Sequence, residues 1–189
     1  MSSRLRTSSP ARLAIGKLPA SRWKDLMELR LRALRTDPSA YGSSYEEAKK
    51  FKEDEWKRRM KSTLFALTAD EPIGMIVCYF NEGLKTRHIA SIYGFYVSPE
   101  RRGEGVGTKL FDRALALIQR NRRIIKITLA VNPEQRVALR IYRKAGFVVS
   151  GRTEKELKVG RKFYGMVFME KLLTPQASRL SARRAQALL

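Results

Sequence analysis

The chain has 189 residues, a formal net charge of +21 and 43% hydrophobic residues. These values favour a single globular domain with its own core, and no stretch approaches the roughly 18 apolar residues of a membrane span. The one cysteine, Cys78, excludes an internal disulfide and fits a reducing, cytoplasmic compartment. Because Cys78 lies in an apolar run, we interpret it as a small buried hydrophobe rather than a nucleophile.

Positive charge is concentrated at both ends of the chain. All 18 acidic residues lie between Asp25 and Glu170. We therefore predict a flexible basic arm at residues 1–10, a single domain at 11–172 and a basic C-terminal tail at 173–189. The domain itself is also basic, which suits a polyanionic ligand such as a phosphorylated cofactor or a nucleic acid.

The first half of the chain changes from helical to extended periodicity. After a short extended run, apolar residues recur at i, i+3 and i+4, which predicts an amphipathic helix with Ser21 as its cap. A capping box at residues 44–47 begins the next helix, and the two-residue period of strands follows. The predicted elements are a strand at 12–17, helices at 23–34 and 44–60, and strands at 63–68, 73–80 and 89–97.

The second half reads as a strand–helix–strand unit followed by two more strands. Asn132 is the predicted cap of the second helix in this half, with Pro133 at its first position. The predicted elements are helices at 106–120 and 132–145, strands at 124–131, 147–151 and 163–172, and a charged loop at 153–161. A meander joined to such a unit predicts a mixed α/β sheet with helices on both faces.

Residues 91–110 form the most informative segment. A dense apolar strand and a turn lead to glycines at alternate positions, Gly103, Gly105 and Gly107, and then to a helix. Such a loop exposes backbone N–H groups next to the positive end of a helix dipole, which is an arrangement that binds phosphate. The segment is not a Rossmann fingerprint, because Thr108 stands where glycine is required, and it lacks the spacing of a P-loop.

Arg102-x-x-Gly105-x-Gly107, between a strand and a helix, resembles the acetyl-CoA signature of the GNAT superfamily of N-acetyltransferases. Residues 131–147, VNPEQRVALRIYRKAGF, resemble the second segment of that family, and residues 31–47 with the later Trp56 resemble the start of many bacterial members. The resemblance covers about residues 11–172. It implies a mixed, mostly antiparallel twisted sheet of six to seven strands with about four helices, acetyl-CoA as cofactor, and acetyl transfer to an amine.

The resemblance also implies how the cofactor is bound. Backbone N–H groups of residues 102–108 would hold the pyrophosphate, and the charges of Arg102 and Lys109 would assist. The strand before the loop would carry a bulge and splay from its neighbour, so that its free edge pairs with the pantetheine arm and polarises the thioester carbonyl. Gln135 stands where the family often has asparagine. The implied cofactor-binding residues are Phe95, Tyr96, Val97, Arg102, Gly103, Glu104, Gly105, Val106, Gly107, Thr108, Asn132, Gln135 and Tyr142.

Two proton transfers must accompany acetyl transfer to an amine. Tyr142 matches the tyrosine that protonates the coenzyme A sulfur in this family, and a positioned general acid contributes on the order of 10²–10⁴ in rate. From the residues alone, the simpler interpretation of Tyr142 is a core aromatic at helical spacing. The glutamate that many members carry before the loop is absent, so we expect an ordered water to accept the amine proton, oriented by Ser91 and Tyr93. His88 lies too far from the loop for this role.

The acceptor is less well determined by the sequence. The resemblance places its binding site at residues 36–45 and 154–163, with Tyr41, Tyr45 and Tyr164 as candidate lining residues. A small-molecule amine, a protein N-terminus and a lysine side chain all stay open as acceptors. The oligomeric state is also open, with a homodimer as one option. No metal site and no membrane association are predicted.

Two other function classes are compatible with the sequence. One is a basic module that binds nucleic acid or an acidic partner through the terminal arms and residues 119–126, QRNRRIIK. Because a helix C-terminus also favours cations, this cluster has a structural explanation, and nucleic acid is not the expected partner. The other is a family member that binds acyl-CoA without catalysis, which the missing glutamate favours and the presence of Tyr142 opposes.

Overall fold

Seven strands and five helices occur along residues 12–173, the part of the chain that a computed structural model describes. The strands are β1 (Leu13–Gly16), β2 (Thr63–Thr68), β3 (Glu71–Phe80), β4 (Ile89–Val97), β5 (Lys126–Val131), β6 (Val148–Val159) and β7 (Lys162–Leu172). The helices are α1 (Trp23–Thr36), α2 (Tyr45–Ala48), α3 (Glu53–Met60), α4 (Val106–Gln119) and α5 (Arg136–Lys144). The predicted arm at 1–10 and all of the predicted tail after residue 173 lie outside the described residues.

The seven strands form one open sheet in the order β1-β2-β3-β4-β5-β7-β6. Neighbouring strands are antiparallel except β4 and β5, which are parallel and joined through α4. The predicted mixed, mostly antiparallel α/β fold is therefore confirmed. There are five helices instead of about four, because residues 49–52 interrupt the predicted helix at 44–60.

Apolar clusters cover both faces of the sheet. On one face α4 presents Leu110, Ala114 and Ile118, which recur every fourth residue and are fully buried, as an amphipathic helix requires. On the other face α1 and α3 pack over the sheet around Trp56 and Phe65. Full burial of each large apolar side chain contributes roughly 1.5–3 kcal/mol. The longest helices in residues 12–173 have 14 residues, and none of them has the length and apolar content of a membrane span.

Cys78 belongs to the cluster beneath α4 and is 2% exposed. Burial raises the pKa of its thiol to about 12. The thiolate is the reactive form of cysteine, so this side chain has the properties of a small core residue, in line with its interpretation from the sequence.

The helix starts match the sequence in one case and differ in another. The capping box is present, because Ser44 Oγ accepts from the Glu47 N–H at 3.1 Å and the Glu47 carboxylate accepts from the Ser44 N–H at 3.0 Å. Ser21, however, does not cap α1. A 3₁₀ turn at Ala20–Arg22 precedes that helix, and its N-cap residue, Arg22, makes no side-chain capping bond.

The segment at 153–161, predicted to be a charged loop, is strand. β6 continues to Val159 and pairs with β7 around a tight turn at Gly160, with a bulge at Lys155, whose φ is 52°. The prediction was wrong because β6 is an edge strand with most of its side chains exposed, so its sequence lacks the apolar alternation of a half-buried strand.

Strand β4 contains an extra residue opposite β3. The register pairs Val77 with Tyr93 but Met75 with Tyr96, so a two-residue step in β3 faces a three-residue step in β4. Gly94 lies in this bulge with a φ of 63°, a left-handed conformation that favours glycine. Because side chains alternate between the faces of a strand, the extra residue reverses which face each following side chain occupies.

The strands β4 and β5 diverge at the bulge. They pair only from Ile89 opposite Lys126 to Ile92 opposite Leu129, and residues 93–97 pair with β3 alone. The edge of β4 that faces β5 therefore carries backbone groups without a strand partner among the described residues. The structure thus contains both the bulge and the splay that the sequence resemblance implied.

We expect Gly94→Ala to destabilise the fold. A Cβ at Gly94 would lie 3.1 Å from Val77 Cγ2, and the left-handed φ adds about 1–2 kcal/mol of strain. The matched control is Gly16→Ala, because a Cβ at Gly16 meets no atom within 4 Å. Urea unfolding should show a loss for Gly94→Ala and little change for Gly16→Ala, and equal stability of the two variants would refute the role of the bulge.

Candidate active site

A cleft of about 850 Å³ opens where β4 leaves β5. Its walls are the end of β4, the glycine loop, the start of α4, the exposed face of α5 and the connection between α1 and α2. Of the residues predicted from the sequence, the lining includes Phe95, Tyr96, Val97, Arg102, Gly103, Gly105, Val106, Gly107, Thr108 and Gln135. The other four, Ser91, Glu104, Asn132 and Tyr142, lie outside this lining.

The glycine loop presents open backbone to the cleft. Gly103 and Gly105 have φ values of 85° and 77°, and a Cβ at either would meet no atom within 4 Å. Gly105 precedes α4 and provides no side-chain cap, so the first N–H groups of the helix have no side-chain partner. Gly107 serves packing instead, because its Cβ would lie 3.3 Å from Phe95 Cζ, where α4 approaches β4.

The side chain of Arg102 is engaged with the protein itself. Its Nη2 donates to Asp37 Oδ2 at 2.5 Å and its Nε donates to the Val97 carbonyl at 2.9 Å. Arg101 also lines the cleft, and its Nε is buried without a hydrogen-bond partner in the described part of the chain. Glu104 pairs with Arg101 at 3.2 Å, which explains its place beside the cleft rather than in its wall.

Three cations on α5 were missed from the sequence. Arg136, Arg140 and Lys144 line the cleft and recur at every fourth position, which places them on one face of the helix. That spacing was visible in the sequence and could have identified them. Together with Arg101 and Arg102, they outnumber the acidic residues of the lining, Asp37, Asp112 and Glu134, so the cleft wall carries a net positive charge.

Asn132 holds a turn and does not cap the helix. It is 1% exposed, its Oδ1 accepts from the Glu134 N–H at 2.9 Å, and its Nδ2 donates to the Ser39 carbonyl at 3.1 Å. Helix α5 begins only at Arg136, with Gln135 as the preceding residue. The prediction of a helix cap was wrong, because the asparagine side chain closes a local turn with the N–H two residues ahead.

Tyr142 lies beneath the cleft in an aromatic cluster. It is 5% exposed, and its ring centre is 5.0 Å from that of Phe111, 6.2 Å from that of Phe95 and 6.3 Å from that of Phe147. Burial raises the pKa of its hydroxyl above the usual value near 10. Within residues 12–173 the hydroxyl makes no hydrogen bond, so it is a protonated donor that no protein group uses.

Ser91 and Tyr93 lie on the opposite face of the sheet from α4. Ser91 Oγ is 3.1 Å from Thr128 Oγ1, a contact that joins β4 to β5 where the two strands still pair. Tyr93 follows two residues later and is 48% exposed. Burial, together with the neighbouring Tyr79, raises the pKa of Tyr93.

The three candidate acceptor residues occupy different surroundings. Tyr41 lines the cleft, is 9% exposed and donates from its hydroxyl to the Phe95 carbonyl at 3.1 Å. Tyr45 and Tyr164 lie outside the cleft lining, each with its ring beneath a cation, Arg35 and Lys162 respectively. Only Tyr41 therefore combines a place in the cleft with a contact to the bulged strand.

Known proteins resemble this chain in sequence. The family model described as the acetyltransferase (GNAT) family matches residues 23–147. An uncharacterized N-acetyltransferase of Methanocaldococcus jannaschii is 32% identical over 93 residues, 48% of this chain and 38% of that protein. The peptidyl-lysine N-acetyltransferase YjaB of Salmonella typhimurium is 32% identical over 85 residues, which are 45% of this chain and 48% of the YjaB chain. The chain thus spans less than half the length of these curated relatives.

Solved structures resemble it over a larger part of the chain. A GNAT-family acetyltransferase from Streptococcus pneumoniae superposes with a TM-score of 0.76 at 21% identity, covering 86% of this chain and 100% of the other. The yncA protein of Salmonella typhimurium, solved with its cofactor acetyl-CoA, gives 0.72 at 17% identity, with 87% and 95% covered. At these identities the likeness concerns the fold. The segment matched by the family model runs from α1 through α5 and includes the bulge, the glycine loop and the cleft, and the chain belongs to the GNAT family of acetyltransferases.

Proposed function

We propose that this protein is an acetyl-CoA-dependent N-acetyltransferase that acts by direct attack of a primary amine. The observation that carries the proposal is the cleft itself, where an unpaired strand edge meets an uncapped helix start. Acetyl-CoA, the cofactor of the family, supplies an acetyl group activated as a thioester. The acceptor is a small-molecule amine or an amine of a protein, as the peptidyl-lysine activity named for the YjaB relative also supports.

The residues present fit the phosphate groups of coenzyme A. The open backbone at Gly103 and Gly105 and the free N–H groups at the start of α4 form an anion cradle. The buried Nε of Arg101 is a hydrogen-bond donor without a partner in the described part of the chain, so it can donate to a phosphate oxygen. Arg102, already bonded to Asp37, fixes the loop and contributes its charge. The three cations on α5 add positive charge along the remaining wall.

The residues also fit the long arm of the cofactor. Residues 95–97 have no partner strand on the β5 side, so their backbone groups can pair with an amide-containing chain in the manner of an added strand, while the Phe95 and Val97 carbonyls also accept from Tyr41 and Arg102. Gln135 lies in the opposite wall with a side chain that can both donate and accept. Asn132 and Glu104 act indirectly, since one holds the turn before α5 and the other holds Arg101.

Two proton transfers accompany the reaction, and this chain supplies one proton donor and two residues that orient a water. The acceptor nitrogen forms its bond to the acetyl carbon and loses one proton, and the departing sulfur gains one. We assign the second transfer to the Tyr142 hydroxyl, which is protonated and free of protein partners. The first we assign to water oriented by Ser91 and Tyr93, on the face of the sheet where α1 and α3 lie.

We expect Gly105→Asp to weaken acetyl-CoA binding. A carboxylate at the helix start would repel the pyrophosphate, while aspartate tolerates the left-handed backbone. The matched control is Gly160→Asp, since Gly160 also has a positive φ of 59° and open space around it but lies in the β6–β7 turn. Acetyl-CoA at about 100 times its Kd should stabilise the wild type and the control by about 2.7 kcal/mol. If thermal shifts of all three proteins were equal, the loop would not be the phosphate site.

We expect Tyr142→Phe to lower kcat about 10²–10⁴-fold while acetyl-CoA binding is retained. The change removes only the hydroxyl and keeps the ring among its aromatic neighbours. Steady-state kinetics with an accepted amine gives kcat, and calorimetry gives the Kd for acetyl-CoA. Wild-type kcat in the variant would mean that Tyr142 is only a core aromatic.

The pH dependence follows from the raised pKa of Tyr142. Because the pKa is higher in the folded protein than in the unfolded chain, the contribution of this group to stability is fully present below about pH 10 and is lost above it. The raised pKa also keeps the Tyr142 hydroxyl protonated at neutral and moderately alkaline pH. We therefore expect kcat/KM to rise as the acceptor amine deprotonates and then to stay level up to about pH 10. A rate profile should test this, and a descending limb below about pH 9 that disappears in Tyr142→Phe would contradict it.

A further inference from the structure

Arg30, on α1, is a cation without a counter-charge. Its Nη1 is buried and has no hydrogen-bond partner in the described part of the chain. Two other arginines nearby in sequence are paired, since Arg22 contacts Asp25 and Arg32 contacts Glu100. None of the ion pairs found within residues 12–173 includes Arg30. Apart from the ring of Tyr41, which lies 4.4 Å from its Cζ, the guanidinium has no electrostatic partner in the described part of the chain, and a buried charge without a counter-charge is unfavourable for folding.

The guanidinium of Arg30 lies against the bulge of β4. Its Nη1 is 4.0 Å from the position that a Cβ of Gly94 would take, and its Cζ is 4.4 Å from the ring centre of Tyr41. Tyr41 in turn donates to the Phe95 carbonyl, the next residue along the strand. Arg30 therefore lies beside the bulge and against Tyr41, a residue of the cleft lining, although Arg30 itself is not part of that lining, and its side chain as a whole is only partly buried.

The charges around Arg30 favour an anion. Burial above all lowers the pKa of Arg30; Tyr41 acts in the opposite direction, and the positive charge of Arg59 lowers the pKa further. Arg59 itself is paired with Glu55 at 2.9 Å, so the local excess of positive charge lies on Arg30. The phosphates of the cofactor are bound elsewhere in the proposed complex, by the glycine loop and the cations of α5.

We propose that Arg30 binds a carboxylate of the acceptor, which makes the acceptor a free amino acid or a related small molecule with a carboxylate next to its amine. This inference rests on the proposed acetyltransferase function. The planar guanidinium matches a carboxylate with two parallel hydrogen bonds. In an amino acid the amine and the carboxylate share one carbon, so a carboxylate held at Gly94 keeps the amine beside the free edge of β4.

The experiment compares matched acceptors. Each free L-amino acid is tested against its amide, against the amine that lacks the carboxylate, and against a dipeptide with the same N-terminal residue. For an accepted amino acid we expect kcat/KM about 10–100-fold higher than for its amide. Equal values for the acid and the amide, or faster acetylation of the dipeptide, would overturn the proposal.

Variants locate the effect on Arg30. Arg30→Met should remove the preference by raising KM for the free acid, while the amide and the Kd for acetyl-CoA are unchanged, and Arg30→Lys should keep part of the preference. The matched control is Arg113→Met, which removes an exposed arginine on α4 and should keep the full preference. If Arg30→Met lowered kcat/KM equally for every acceptor, Arg30 would contact the acetyl carbonyl or have only a structural role. That result would overturn the proposal.

Two further readouts separate folding and the enzyme's basic activity from this inference. Removal of an unpaired buried charge should leave the melting temperature of Arg30→Met at or above that of the wild type. A lower melting temperature would mean that Arg30 has a structural partner, and would count against the proposal. If no amine is acetylated and acetyl-CoA causes no thermal shift, the proposed function fails and this inference falls with it. If amines are acetylated without regard to a carboxylate, only the inference fails.

Discussion

The extra residue in β4 is the constraint on which the rest of the site depends. A central strand that is paired on both edges has no backbone groups to offer a ligand, and the bulge at Gly94 ends the pairing with β5 after Ile92. It also reverses the alternation of side chains. Phe95 therefore packs toward Tyr142 and α4, while Tyr96 joins the cluster under α1. One inserted residue thus opens the cleft and determines which face each of its neighbours occupies.

The connection between α1 and α2 is fastened to this opened edge by polar contacts, in addition to the packing of Tyr41 in the cluster under α1. Asp37 accepts from Arg102, the Ser39 carbonyl accepts from Asn132, and Tyr41 donates to the Phe95 carbonyl. Each such bond contributes about 0.5–1.5 kcal/mol net, and somewhat more where a charge takes part. Together these bonds tie the wall of the cleft to the strand edge that the bulge exposes.

Local signals in the sequence predicted most elements, and they failed where the outcome depends on partners distant in sequence. The capping box at Ser44 and the glycines of the loop are local, and both are found as predicted. Residues 153–161 were predicted as loop, because an edge strand is held by its pairing and not by its own pattern. A bulge in the strand before the loop was implied by the family resemblance alone, and its place at Gly94 was not predicted, since a glycine in an apolar run is equally compatible with a regular strand.

The net charge of +21 combines cations with two different roles, and only the structure separates them. Around the cleft, Arg102 and Lys162 are each paired with a carboxylate, so their charges hold segments of the fold together. Arg30 has no such partner, although in sequence it is merely one arginine among several on an amphipathic helix. A paired cation is explained by the contact it makes. An unpaired and partly buried one, such as Arg30 beside Gly94 of the bulge, is explained by the carboxylate that we propose it binds.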